Sequence, residues 1–173
     1  MLRRSAFLLL ALCLCAAASE HVTEVFDEPT DRPAALVKAG ILPDPVLSPG
    51  AIFSDITLEQ IRQPNFDATI RNVPESLKKK VFRSYGLDPD KIRTGDYEID
   101  HICECALGGA QDAANLWPEK YAGPLGAHTK DHLERVLLKL VRDGKVPLRQ
   151  AQHEISGDWT QAYIKYVGPL PTE

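Results

Sequence analysis

The sequence predicts an α+β fold that is mostly helical, and three observations predict it. Residues 127–142 repeat apolar side chains at helical spacing. Tyr97-Glu-Ile-Asp-His-Ile102 alternates as a strand does. No second run of alternating residues supplies partners for a large sheet. The chain has 173 residues, with 20 basic and 24 acidic side chains. Such a length makes one domain around one core.

The first element is not expected to belong to the fold. Arg3-Arg4 precedes the apolar run from Ala6 to Ala18, and Ser19-Glu20 follows. A basic start, a short apolar core and a small-residue exit read as a secretory signal peptide over residues 1–19, its apolar run too short for a bilayer span. Neither Cys13 nor Cys15 follows a small residue as a lipid-attachment site would. The expected product is therefore secreted or periplasmic, without a membrane anchor. Its removal leaves 18 basic against 24 acidic residues, a formal charge of −6, with Cys103 and Cys105 as the remaining cysteines. That balance gives no support to a general nucleic-acid binder, so any contact with nucleic acid must come from a local site.

Residues 20–50 carry Pro29, Pro33, Pro43, Pro45 and Pro49. They read as an extended N-terminal arm with at most a short helix over Pro33–Lys38. Asp55 or Thr57 can cap a brief helical turn before Arg62. Pro74 opens a helix with Leu77, Val81, Phe82 and Tyr85 on one stripe, and Gly86 ends it. Lys78-Lys79-Lys80 is its wet face. After the strand at 97–102, Gly108-Gly109 makes a turn and Asn115-Leu-Trp-Pro118 opens a new stretch. In the helix over 127–142, Leu133, Val136, Leu137, Leu140 and Val141 face inward, while Lys130, Glu134, Arg135, Lys139 and Arg142 stay outside. Pro147 begins a last helix that Gly157 weakens and Gly168-Pro169 ends. Trp117 and Trp159 read as core. The expected picture is helices around one small hairpin.

Polar chemistry concentrates between residues 98 and 132. Glu98, Asp100 and His101 arrive together at the end of the strand. A carboxylate is a hard ligand for a divalent cation, and a neutral imidazole takes a proton near pH 7. His128 and His132, four apart, share one helix face. With Asp100 brought across from the strand they would supply three ligands and leave an open position, as a catalytic metal requires. Two histidines on a charged helix are equally often only solvated, and both readings stand at this point.

The ordered series Asp100-His101, Gly108-Gly109, Asn115 and His128, with 14 residues from His101 to Asn115, resembles the HNH nucleases of the His-Me finger (ββα-metal) superfamily. The likeness to small, often secreted members runs over about residues 45–168. It includes Ser48-Pro-Gly50, Val81-Phe-Arg-Ser-Tyr-Gly86, Tyr97–His101, Leu107-Gly-Gly109, Asn115-Leu-Trp-Pro-Glu119, Ala127-His-Thr-Lys-Asp131, Ala151-Gln152, Asp158-Trp159 and Ala162-Tyr163. The resemblance implies a hairpin-plus-helix core packed by additional helices, in an HNH-like domain over 51–168 with a tail at 169–173.

It implies His101 as general base, Asp100 and His128 as metal ligands, and Asn115 as the residue that ties the hairpin loop and orients the base. Glu98 would support the metal shell or a water. His132 would be a second helix ligand, suiting Zn2+; without it Mg2+, or Mn2+, is expected. The implied activity is a metal-dependent endonuclease of low sequence specificity, with DNA the preferred partner. Arg93, Lys120, Lys130 and Arg135 are the candidate phosphate contacts. The alternative is a non-catalytic HNH-like binding module or a structural zinc module. Two departures stand out. Ile102-Cys-Glu-Cys105 replaces the turn that usually follows the Asp-His pair, leaving buried thiols or a soft-ligand alternative. Arg62 and Arg142 occupy positions where many secreted members carry cysteines that the resemblance implies are bridged.

Overall fold

The structure, a computed structural model, describes residues 21–26 and 31–172; the signal-peptide expectation lies outside them. Among the described residues there are seven α-helices and two small antiparallel sheets, an α+β fold dominated by helix. No helix there is long and apolar enough to cross a membrane.

In the N-terminal part, β1 (Thr23–Val25) pairs with β2 (Ala51–Phe53), and α1 (Ala34–Ala39) lies between them in sequence. The ribbon escapes sequence reading because three-residue strands carry no period. Residues 31–50 are threaded into the domain rather than standing off it as an arm. Leu42 sits in the main core. The buried Arg32 guanidinium donates to the carbonyls of Ser156 (2.6 Å), Ser48 (2.7 Å) and Pro49 (3.0 Å). Burial lowers its pKa to about 10, so it remains charged and acts as a multidentate tie.

Helix α2 (Leu58–Ile61) starts on a capping box between Thr57 and Gln60. It is followed by α3 (Phe66–Ile70) and α4 (Glu75–Ser84), the latter entered through Pro74. Then β3 (Tyr97–His101) pairs antiparallel with β4 (Leu116–Lys120), Glu98 opposite Glu119 and His101 opposite Leu116. The loop between them is held shut at Gly109, where an added Cβ would collide with the Cys103 carbonyl and meet the Asn115 amide.

Helix α5 (Ala127–Arg142) presents Ala127, Lys130, Leu133, Leu137 and Val141 to the interior. The expected single last helix is two, α6 (Leu148–Ser156) and α7 (Trp159–Tyr166). Gly157 breaks the first, and the Asp158 carboxylate caps the second by accepting from Thr160 N and Gln161 N. Both tryptophans are core, and Trp159 Nε1 donates to Ile41 O at 2.9 Å. Arg62 and Arg142 meet: Arg62 Nε donates to Arg142 O (3.1 Å) and Arg142 Nε to Ile61 O (2.9 Å). Reciprocal charged hydrogen bonds thus join the two positions where the resemblance implies a bridge.

Candidate functional site

Alternation along β3 puts Glu98 and Asp100 on one face, and the register brings Glu119 beside them. Like charges directly opposite across two strands repel, so this face needs compensation. Part of it comes from α5. Lys130 Nζ lies 2.6 Å from Asp100 Oδ2 and 2.8 Å from His101 O, and it also binds Glu134 one turn along. Lys130 is 1% exposed. Burial alone would lower its pKa, but the Asp100, Glu134 and Glu119 carboxylates raise it well above the ordinary value. It is therefore a permanent internal cation and not the surface phosphate contact expected of it. Charge alone had placed Lys130 and Glu134 outside; their spacing continues the buried stripe through Ala127 and Leu137.

One ammonium does not balance the carboxylates around it. Burial pushes the Asp100 carboxyl up, but Lys130 outweighs that and holds it below its usual value. Burial pushes Glu119 and Glu134 well above theirs. Glu98 is raised by burial too, and Tyr121 donates to it at 2.7 Å. Glu119 Oε1 is sealed from solvent and has no hydrogen-bond partner. Such an oxygen calls for a proton, a hydrogen-bond donor or a cation.

Among the described residues one group of three brings potential metal ligands together: Glu98, Asp100 and Glu119, one oxygen from each within 4.8 Å of the others. The orphaned Glu119 oxygen and the hard donors fit a divalent cation, and an all-oxygen set suits Mg2+ or Mn2+ better than Zn2+.

The expected set of Asp100 with His128 and His132 does not converge. His128 stands on the exposed side of α5, its side chain 83% exposed, 3.8 Å from Asp131 and with its ring tilted 49° to that of Tyr121. His132 is exposed and packs edge-on against Tyr163. Both point away because the stripe that meets the hairpin runs through residues 127, 130 and 134.

His101 lies on the other face, 5% exposed. Burial lowers its pKa to about 4, so the ring is neutral at pH 7 and able to accept a proton. Its Nε2 is 3.1 Å from Gln111 Oε1 and 3.4 Å from Cys105 Sγ. Asn115 ties the loop, with Oδ1 accepting from Cys103 N (2.9 Å) and Nδ2 donating to Cys103 O (2.9 Å) and Ala110 O (3.0 Å). It makes no hydrogen bond to His101; Gln111, which no sequence period marks, does so instead. Cys103 and Cys105 are buried free thiols, and burial raises both pKa values.

Of the other expected phosphate contacts, Arg93 is paired with Asp96 (3.0 Å) and Lys120 donates to Ala39 O (3.2 Å). Arg135 is exposed. Sequence reasoning also missed Arg71, at the C-terminal end of α3, whose charge acts on His101, Glu104 and Cys105.

Comparison with models of known protein families, with curated proteins and with solved structures finds no match for the chain.

Proposed function

We propose that the protein is a secreted, metal-dependent endonuclease of HNH type, hydrolysing phosphodiester bonds of nucleic acid, DNA before RNA, with low sequence preference. The observation that carries this reading is the meeting of the Asp100-His101 strand end with the first turns of α5. There His101, a neutral imidazole, directly follows Asp100, which belongs to a carboxylate cluster on the opposite face of the strand that includes the unsatisfied Glu119 oxygen. The Asn115 loop tie and the contact between positions 62 and 142 support it further, since both follow from the resemblance in the sequence.

Glu98, Asp100 and Glu119 would hold the cation. When bound, it supplies neutralisation of charge on the phosphodiester and on the departing sugar oxygen. His101 removes the proton from a water whose oxygen bonds to phosphorus as the phosphorus–oxygen bond to the sugar breaks. Lys130 keeps Asp100 ionised and fixes the strand end to the helix through His101 O. Arg71 is placed to attract a flanking phosphate, which gives affinity without sequence preference.

A second reading, a non-catalytic HNH-like module, is favoured by one feature. The Lys130 ammonium already fills one side of Asp100, as a built-in substitute for a bound cation.

The deciding experiment is plasmid nicking by residues 20–173 with Mg2+ or Mn2+. The endonuclease reading expects nicked circles with wild type and a loss of about a hundredfold or more in His101→Ala, with the circular dichroism spectrum retained. Equal nicking by both proteins would remove His101 as the general base, and no nicking by either favours the non-catalytic module.

A further inference from the structure

We propose that Gln111 is a positioning residue that holds His101 as the Nε2–H tautomer and so makes Nδ1 the nitrogen that accepts the proton. The inference rests on the endonuclease reading for its meaning in catalysis, but its geometry stands independently.

Two backbone groups fix the Gln111 amide. Asn72 N–H, a donor only, lies 3.1 Å from Gln111 Oε1. Gly109 C=O, an acceptor only, lies 2.9 Å from Gln111 Nε2. Turning the amide over would set donor against donor at Asn72 and acceptor against acceptor at Gly109. The oxygen therefore faces Asn72 and His101, and the nitrogen faces Gly109 and, at 3.2 Å, Cys105 Sγ. His101 Nε2, 3.1 Å from that oxygen, must carry the hydrogen. In a neutral imidazole this leaves Nδ1 bare.

Nδ1 is also the open nitrogen. Among the described residues, the sealed side-chain nitrogens and oxygens without a partner are Glu104 Oε1, Trp117 Nε1, Glu119 Oε1, Glu154 Oε2 and Ser156 Oγ. No described group hydrogen-bonds His101 Nδ1, and it is not among these atoms. It is thus neither sealed nor engaged by a described group, and is left free to accept from a water. A base held this way presents one acceptor to water and spends no time in the tautomer that would offer water a donor.

The test is two-bond proton–nitrogen correlation NMR on residues 20–173 labelled with 15N-histidine, at neutral pH and without metal or substrate. The His101 signals are assigned by their loss in His101→Ala. Wild type is expected to show Nε2 protonated and Nδ1 bare. Gln111→Met keeps the side-chain length but removes the acceptor, and is expected to give a mixture of tautomers and a kcat lowered about tenfold with KM unchanged. Gln111→Glu keeps an acceptor and is expected to keep the wild-type tautomer. A wild-type ring protonated at Nδ1, or a pure Nε2–H ring in a folded Gln111→Met, overturns the proposal. Because the tautomer is read without turnover, an absence of nicking would defeat the endonuclease reading while leaving this assignment to the NMR result.

Discussion

On the face of the hairpin turned to α5, carboxylates crowd around a single ammonium; on the other, His101 is held by an amide and a thiol with no charge in direct contact. Both solutions begin from burial, which disfavours the ionised form of any group. The first face resists by pairing Asp100 with Lys130 and leaves the remaining acids to hold protons or await a cation. The second yields, and its histidine stays neutral. The proposed site, which would bind a cation and accept a proton on two adjacent residues, gains from this separation, because the pleat of β3 keeps the two environments apart.

The largest effect that would break this contrast is expected from Lys130→Met. Removing the only ammonium from among Asp100, Glu119 and Glu134 leaves buried carboxylates uncompensated and should cost about 3–5 kcal/mol in urea unfolding. Added Mn2+ should restore part of it. A cost below about 1 kcal/mol would mean these acids are already neutral.

Asn115→Ala comes next. It orphans the Cys103 N–H and the Cys103 and Ala110 carbonyls, and should cost about 2–3 kcal/mol by thermal unfolding. Nicking should fall with the loop. Unchanged stability would show that water replaces the side chain.

Smaller again is the effect of Glu104, whose buried carboxyl lies in the fields of Lys130 and Asp100 and is pushed up to about 7 by burial. The folded state then binds the proton more tightly than the unfolded chain between the ordinary value of 4.5 and about 7. Stability from this group is therefore lost as pH rises through that window. Glu104→Gln should match wild type near pH 4.5 and exceed it by about 3 kcal/mol above pH 7. His101 contributes the opposite slope: with its folded pKa lowered to about 4 from 6.5, stability is gained as pH rises across that range. A difference between Glu104→Gln and wild type that does not grow with pH would remove Glu104 from the charged face.

Much of this architecture was readable in the sequence, and the exceptions have physical causes. The helix over 127–142 and the strand at 97–101 were legible because each repeats at its own period, and Asn115 because it stands at a fixed interval from His101. Lys130 was misplaced because charge was weighed above spacing, although residues 127, 130, 134, 137 and 141 form one unbroken stripe. The turn between α6 and α7 was marked by Gly157-Asp158, but the apolar spacing runs on across the break. Gln111 left no trace at all. It acts from a loop, through an amide whose orientation is set by backbone groups nearly forty residues apart, and no local pattern encodes such a contact. The candidate ligand set differs from the expected one for a related reason: the i, i+4 histidines share a face, but only packing decides which face meets the hairpin.

Calorimetric titration of residues 20–173 with Mn2+ tests the central claim most directly, comparing wild type with Glu119→Gln and with His128→Ala/His132→Ala. One site in wild type, lost in Glu119→Gln and changed by no more than about twofold in the double histidine variant, is the predicted result. Binding that survives Glu119→Gln and disappears with the histidines, or no binding by wild type, would contradict it.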